Sequence, residues 1–189
     1  MAVTNLVVGK RMAAIVTTAA KDLKERNRNS IIAKSALSSA GFQEVAYIDL
    51  DVDVPRVLLS YDLVYLSGGN PHYLLKRLRE TGGDAVLLEI IKNGVPVVAS
   101  SGGAVVLGIS TSIVELFDPN LDDYGFKSRS GLAAFNFTVL PHANRWKGKM
   151  ADYAEALAAA TIACNSPIEE LSDGEGLLFQ GNEWKRIVV

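Results

Sequence analysis

The stretch Val95-Pro-Val-Val-Ala-Ser-Ser-Gly-Gly-Ala-Val-Val-Leu-Gly108 starts as a short buried strand, breaks into serine and glycine, and resumes as an apolar helix. Within it, Ala99-Ser100-Ser101-Gly102-Gly103 is close to Gly-x-Ser-x-Gly, with alanine in the first glycine position. A serine hydroxyl is a weak nucleophile until a base takes its proton and N–H groups receive the oxyanion. A sharp strand-to-helix turn lifts the hydroxyl above the sheet. It also sets the next N–H and the helix N-terminus beneath a reacting carbonyl. The same pattern occurs as a plain packing turn, so the flanking sequence has to decide.

Upstream, Met12 to Thr17 (MAAIVT) has the length and apolarity of a buried strand. Lys21 to Arg28 is polar and mixes signs, which suits a solvated face. Asn29 is placed to cap a helix from Ser30 to Ala40, with Ile32, Ala36 and Ala40 inward and Gly41 as terminator. Glu44 to Leu50 reads as a strand, Val54 to Leu59 as a brief helix entered at Pro55, and Leu63 to Leu66 as a strand closed by Ser67-Gly68-Gly69-Asn70. Asn70 and Pro71 then suit the cap and first position of a helix with Leu74, Leu75 and Leu78 inward and Gly82 at its end. Asp84 opens another, with Leu87, Leu88 and Ile91 inward and Gly94 as stop.

Downstream, Asp118 to Arg129 is a polar loop long enough to be functional. Phe135 to Leu140 alternates as a strand ending at Pro141-His142, and Met150 to Ala163 is an alanine-rich helix. Leu177 to Phe179 and Trp184 to Val189 flank a turn, which predicts a terminal hairpin. Strands alternating with helices predict one domain over residues 1–189. It is α/β and three-layered, with a mostly parallel sheet covered on both faces. Ligand chemistry in such sheets gathers at the carboxyl ends of the strands. Gly68-Gly69-Asn70, Ser100-Ser101-Gly102 and Pro141-His142 all fall there.

Bulk properties narrow the classes. The chain has 189 residues, a net charge of −2 and dispersed basic residues, which argues against a nucleic-acid partner. Val95 to Ile109 is shorter than the roughly 20 residues of a membrane span, so no membrane partner is expected. The single cysteine, Cys164, excludes an internal disulfide and fits a reducing, cytoplasmic location. Two separated histidines and one cysteine offer no metal cluster, and no nucleotide-binding glycine fingerprint is present, so no cofactor is expected.

The base for Ser101 must come from two histidines. His142 leaves a strand at the carboxyl edge and is preferred; His72, in the first turn after Asn70, is the alternative. The acid behind the imidazole has candidates in Glu115, Asp118, Asp122 and Asp123. The oxyanion donors would be the N–H of Gly102 and one from Gly68-Gly69.

These residues resemble a family. Leu66-Ser-Gly-Gly-Asn-Pro-His-Tyr-Leu-Leu75 is similar to the Gly-Gly-Asn-Thr-x-x-Leu-Leu segment of the peptidase E (aspartyl dipeptidase) family, a relative of cyanophycinase. Ser100-Ser-Gly-Gly-Ala-Val105 resembles its nucleophile turn, and Leu140-Pro-His142 its histidine segment. The resemblance implies a class I glutamine amidotransferase-like fold and a serine peptidase of short peptides working through an acyl-enzyme. It assigns Ser101 as nucleophile, His142 as base, and Gly69 (or Gly68) with Gly102 as oxyanion donors. The acid is expected after the elbow, Asp118 first and Glu115 second. Asn70 and Arg145 are expected to bind substrate; Arg145 lies close to the arginine that reads the substrate's aspartate in characterised members, without matching it by position.

Three departures stand out. Gly102 replaces the usual alanine, a change expected to loosen the elbow. Ala99 replaces a residue that is often glycine or tryptophan. Met1–Lys10 hardly supplies the strand that usually precedes the segment matching Met12–Thr17, and its absence would open the sheet to self-association as a homodimer. The alternative function is that of a catalytically silent relative that binds a small ligand or assembles with partners.

Overall fold

Short apolar runs joined by amphipathic helices fold into parallel strands because each strand must be buried on both faces. The computed structural model describes residues 12–181 and 183–188. The expected absence of a strand before Met12 concerns residues outside those described. Four parallel strands, β1 (Met12–Val16), β2 (Glu44–Ile48), β3 (Leu63–Leu66) and β4 (Val97–Ala99), lie in the order β2-β1-β3-β4. Helix α1 (Arg28–Ser39) connects β1 to β2, and α2 (Pro71–Thr81) and α3 (Gly83–Lys92) connect β3 to β4.

Successive residues of β1 serve opposite faces. Ala13 and Ile15 pack with Ala33 and Leu37 of α1, while Ala14 and Val16 pack with Leu74, Leu75 and Leu78 of α2 and Leu87 of α3. The sheet is thus covered on both sides, as expected. The inward face of α1 differs from expectation. Ser30, Ala33 and Leu37 are buried, whereas Ile32 is 54% exposed. The helix also starts earlier than expected: Asn27, not Asn29, is the cap and accepts from the Asn29 N–H. Buried Ser30 then pairs with Ser67 at 2.9 Å, fixing the rotation of the helix. In α3 the buried residues are Val86, Leu87 and Ile90, and Leu88 is turned outward.

Beyond the four-stranded sheet follow α4 (Gly102–Leu107), α5 (Ile113–Phe117), β5 (Thr138–Pro141), α6 (Ala143–Lys149), α7 (Tyr153–Cys164) and β6 (Ile168–Leu171). Strands β5 and β6 form their own parallel pair, with Pro141 opposite Leu171, and α4 packs on β5. The chain closes with the hairpin β7 (Glu175–Gln180) and β8 (Glu183–Val188), Phe179 opposite Trp184. The strand expected from Phe135 starts only at Thr138, because the Phe135 and Phe137 rings stack on Phe179 of the hairpin. Among the described residues no helix is long and apolar enough to cross a membrane.

Leu75 is fully buried between sheet and helices. Leu75→Ala is expected to cost about 2–5 kcal/mol through lost burial and the cavity left behind. Ile32→Ala is expected to stay within about 0.5 kcal/mol of the parent. Urea unfolding of both variants checks the assigned faces, and a large loss for Ile32→Ala would contradict that of α1.

Candidate active site

Ser101 sits between the end of β4 and the start of α4 with φ 50° and ψ −119°, a conformation that costs free energy for any residue with a Cβ. The turn is held by Ser100 N–H donating to Leu66 O at 3.1 Å and by Gly103 and Ala104 N–H donating to Ser100 O and Ser101 O. This geometry points the hydroxyl away from the sheet. Ser101 Oγ lies 2.9 Å from His142 Nε2, and His142 Nδ1 lies 2.6 Å from Asp173 Oδ1. An ionised carboxylate can only accept, so Nδ1–H donates to Asp173 and Nε2 is left to accept the Ser101 hydroxyl proton.

Strand register brings the base and acid together. His142 directly follows Pro141 at the end of β5, and Asp173 stands two residues beyond Leu171 at the end of β6. His142 adopts left-handed backbone angles (φ 61°) as the cap of α6, stabilised by the Arg145 and Trp146 N–H groups donating to its carbonyl. Asp173 is also bonded by Arg145 Nε at 2.5 Å and Asn144 Nδ2 at 3.3 Å. Hydrogen bonds from His142 and then Arg145 hold its carboxyl down at about 2.

Two of the expected assignments are corrected here. Neither Asp118 nor Glu115 contacts His142. Glu115 is paired with Arg129 at 2.5 Å, and Asp118 lines a separate cavity. The loop that carries Asp118 is drawn across α2 by Asn70 Nδ2 donating to Asp122 O at 2.7 Å and Lys76 Nζ donating to Tyr124 O at 3.0 Å. Asp123, another candidate, is bound by Lys127 and Arg129. Asp173 was missed because β6 was not recognised. Ile168-Glu-Glu-Leu-Ser-Asp-Gly174 does carry the signal of a short strand running into an acid and a glycine.

His72 is fully buried, with Nδ1 3.3 Å from the Thr111 hydroxyl and Nε2 lacking a partner among the described residues. Burial, and then the Arg129 charge, pushes its imidazole below the ordinary range, so it stays neutral and inside. Cys164 is likewise buried, and burial pushes its thiol up. Arg145, expected at the substrate, has its guanidinium on Asp173. Among the described residues no group of three or more histidine, cysteine or acidic side chains is placed to hold a metal.

Gly68, Gly69 and Gly102 surround the serine. A Cβ on Gly68 would stand 3.1 Å from Ser101 Cβ. Gly69 has φ 148°, and a Cβ there would meet Ala19 O at 2.3 Å. A Cβ on Gly102 would meet Gly69 O at 2.2 Å. Glycine at 102 therefore tightens the site, contrary to the expected loosening, because the Gly69 carbonyl occupies the space an alanine methyl needs. No acceptor for the N–H groups of Gly68, Gly69 or Gly102 is found among the described residues. The separate cavity, of about 350 Å³, is lined by residues including Ala19, Lys21, Asn70, Asp118 and Tyr124, and by none of Ser101, His142 and Asp173. Asn70 also caps α2 by accepting from Tyr73 N–H at 3.0 Å.

Comparison with known proteins points to one peptidase family. The family model for peptidase family S51 matches residues 16–187. An uncharacterized peptidase of Listeria monocytogenes is 27% identical over 79% of this chain and 73% of its own length. One from Pasteurella multocida is 28% identical over the same shares. Among solved structures, a candidate peptidase E of Listeria monocytogenes superposes with a TM-score of 0.80 at 23% identity, covering 100% of this chain and 92% of that one. A peptidase from an acI-B1 actinobacterium gives 0.71 at 24%, covering 96% and 76%. These two show the same fold.

Gly102→Ala is expected to lower stability by about 1–3 kcal/mol through overpacking and to slow labelling of Ser101 by a fluorophosphonate. Urea unfolding and labelling kinetics read the two effects. The Asp173 carboxyl is expected to titrate at about 2, instead of the ordinary value near 3.9. Because the folded value is the lower one, its contribution to stability is present above the ordinary range and is lost as pH falls through about 2. Carbon-detected NMR of the carboxyl group measures this, and an ordinary midpoint would contradict the contacts described.

Proposed function

The chain belongs to peptidase family S51, and on that premise we propose that it is a serine peptidase of short peptides, with Ser101 as nucleophile, His142 as base and Asp173 as the orienting acid. The observation that carries this is the relay from Ser101 Oγ through His142 to Asp173, at 2.9 and 2.6 Å, built on a serine with a positive φ. The intact relay favours catalysis over a ligand-binding role for a silent relative.

In the proposed reaction His142 Nε2 takes the hydroxyl proton as Ser101 Oγ attacks the scissile carbonyl. The carbonyl oxygen gains the charge, and the N–H groups of Gly102 and of Gly69 or Gly68 donate to it. Asp173 keeps the imidazole in the required tautomer and stabilises the imidazolium. The tetrahedral intermediate collapses, the C–N bond breaks, and the proton on His142 passes to the leaving amine. A water molecule, deprotonated by His142, then attacks the Ser101 ester and releases the acid product.

The contact of Arg145 with Asp173 weighs against its reading an N-terminal aspartate, so the substrate panel should include both Asp-X and neutral dipeptides.

Ser101→Ala and His142→Ala are expected to lower kcat by on the order of 10³-fold or more, and Asp173→Asn by up to about 10⁴-fold. Glu115→Gln should keep its rate within a few-fold. Hydrolysis of the dipeptide panel measures all four. Dipeptide hydrolysis unchanged by Ser101→Ala would refute the proposal.

A further inference from the structure

Asp173 occupies an exposed turn between β6 and β7, and its side chain is 35% accessible. The turn itself is firm: Glu175 N–H donates to Ser172 O at 3.0 Å, and Ser172 N–H donates to Glu175 Oε2 at 2.8 Å. A rigid turn still leaves a carboxylate free to rotate about its Cβ–Cγ bond. A single hydrogen bond to an imidazole does not stop that rotation, and holding a free rotor costs entropy.

The second oxygen is where α6 acts. Oδ1 accepts from His142, while Oδ2 accepts from Arg145 Nε at 2.5 Å and from Asn144 Nδ2 at 3.3 Å. The Asp173 backbone N–H donates to Asn144 Oδ1 at 2.9 Å, so Asn144 grips both the main chain and the side chain. His142, Asn144 and Arg145 all lie within the cap and first turn of one short helix. That helix is itself anchored, since Trp146 Nε1 donates to Pro141 O at 3.1 Å and Lys147 pairs with Glu170 of β6 at 2.8 Å.

We infer that Asn144 and Arg145 are positioning residues that lock the Asp173 carboxylate onto His142, and that Arg145 serves this role in place of reading a substrate carboxylate. The inference rests on the serine-peptidase reading for its catalytic meaning, while the lock itself is a matter of geometry. Base and lock share one short turn, so the donors to the two Asp173 oxygens are fixed relative to each other. Among the described residues, the charged groups in contact with Asp173 are His142 and Arg145. The low carboxyl value of Asp173 follows from the same contacts.

The test compares Asn144→Ala/Arg145→Ala, Arg145→Lys and Asp173→Asn with the parent. Asn144 and Arg145 are exposed, the Arg145 side chain 58%, so the variants should fold, and urea midpoints verify it. Three readouts are used. They are the rate of Ser101 labelling by a fluorophosphonate that carries no carboxylate, kcat and KM for an Asp-X and a neutral dipeptide, and the His142 Nδ1–H proton resonance. In the double variant labelling is expected to slow by on the order of 10- to 100-fold, as for other small losses of alignment. Its kcat should fall for both dipeptides at unchanged KM, and the proton resonance should be lost as in Asp173→Asn. Arg145→Lys should recover part of the rate, since an ammonium supplies the charge without the planar fork. Unchanged labelling and resonance, with KM raised for the Asp-X peptide alone, would overturn the lock and return Arg145 to the substrate. A parent protein that is never labelled would sink the serine-peptidase reading instead, and the resonance, which needs no turnover, would still decide the lock.

Discussion

The site depends on one backbone contact, the Gly69 carbonyl lying against Gly102 Cα where no methyl group fits. That contact joins the turn after β3 to the turn after β4, with no room for a side chain between them. It brings the Gly68–Gly69 turn up against Ser101, whose Cβ would stand 3.1 Å from a Cβ on Gly68. Parallel pairing of Leu66 with Ala99 delivers the two turns to the same edge, and the absence of side chains lets them meet. Absence of a Cβ at 102 is therefore a requirement of this chain's own packing, and it matches the Gly69 conformation opposite.

The three members of the relay come from the ends of three strands that do not all share a sheet. Ser101 leaves the four-stranded unit, while His142 and Asp173 leave the separate β5–β6 pair. Two of the three relay residues, Ser101 and His142, have positive φ. Strain of that kind persists only where surrounding contacts over-determine the backbone. The Ala104 and Val105 N–H groups donating to Ser101 O, and Leu66 and Gly103 bonded to the neighbouring Ser100, supply those contacts for Ser101; Arg145, Trp146 and the parallel register do so for His142. Ser101 and His142 are both half-buried.

Much of the architecture was legible because short-range chemistry governs it. Asn70 caps the helix that Pro71 opens, and Gly82, in a left-handed conformation, ends it, for reasons of capping and backbone freedom. The elbow was legible as a strand breaking into serine and glycine, and the scarcity of histidines narrowed the base to His142, at a strand end, or His72. What failed were choices that need a distant partner. The rotation of α1 was misjudged because a buried Ser30–Ser67 hydrogen bond, 37 residues apart, outweighs the exposure of Ile32. The acid was sought in the loop after the elbow, where acidic residues are dense, but that loop is drawn to α2 by Asn70 and Lys76.

The sequence by itself determined the alternation of strands and helices as far as the elbow, the elbow around Ser101, and the placing of a serine and a histidine at strand ends. Local propensity, periodicity and the glycine positions suffice for those. Only the tertiary structure decided that Asp173 stands behind His142, that Arg145 grips it, and that Gly102 leaves no room for a methyl group. Each of those follows from distances between segments far apart in the chain. Strand register and backbone approach set such distances, and no local pattern of residues encodes them.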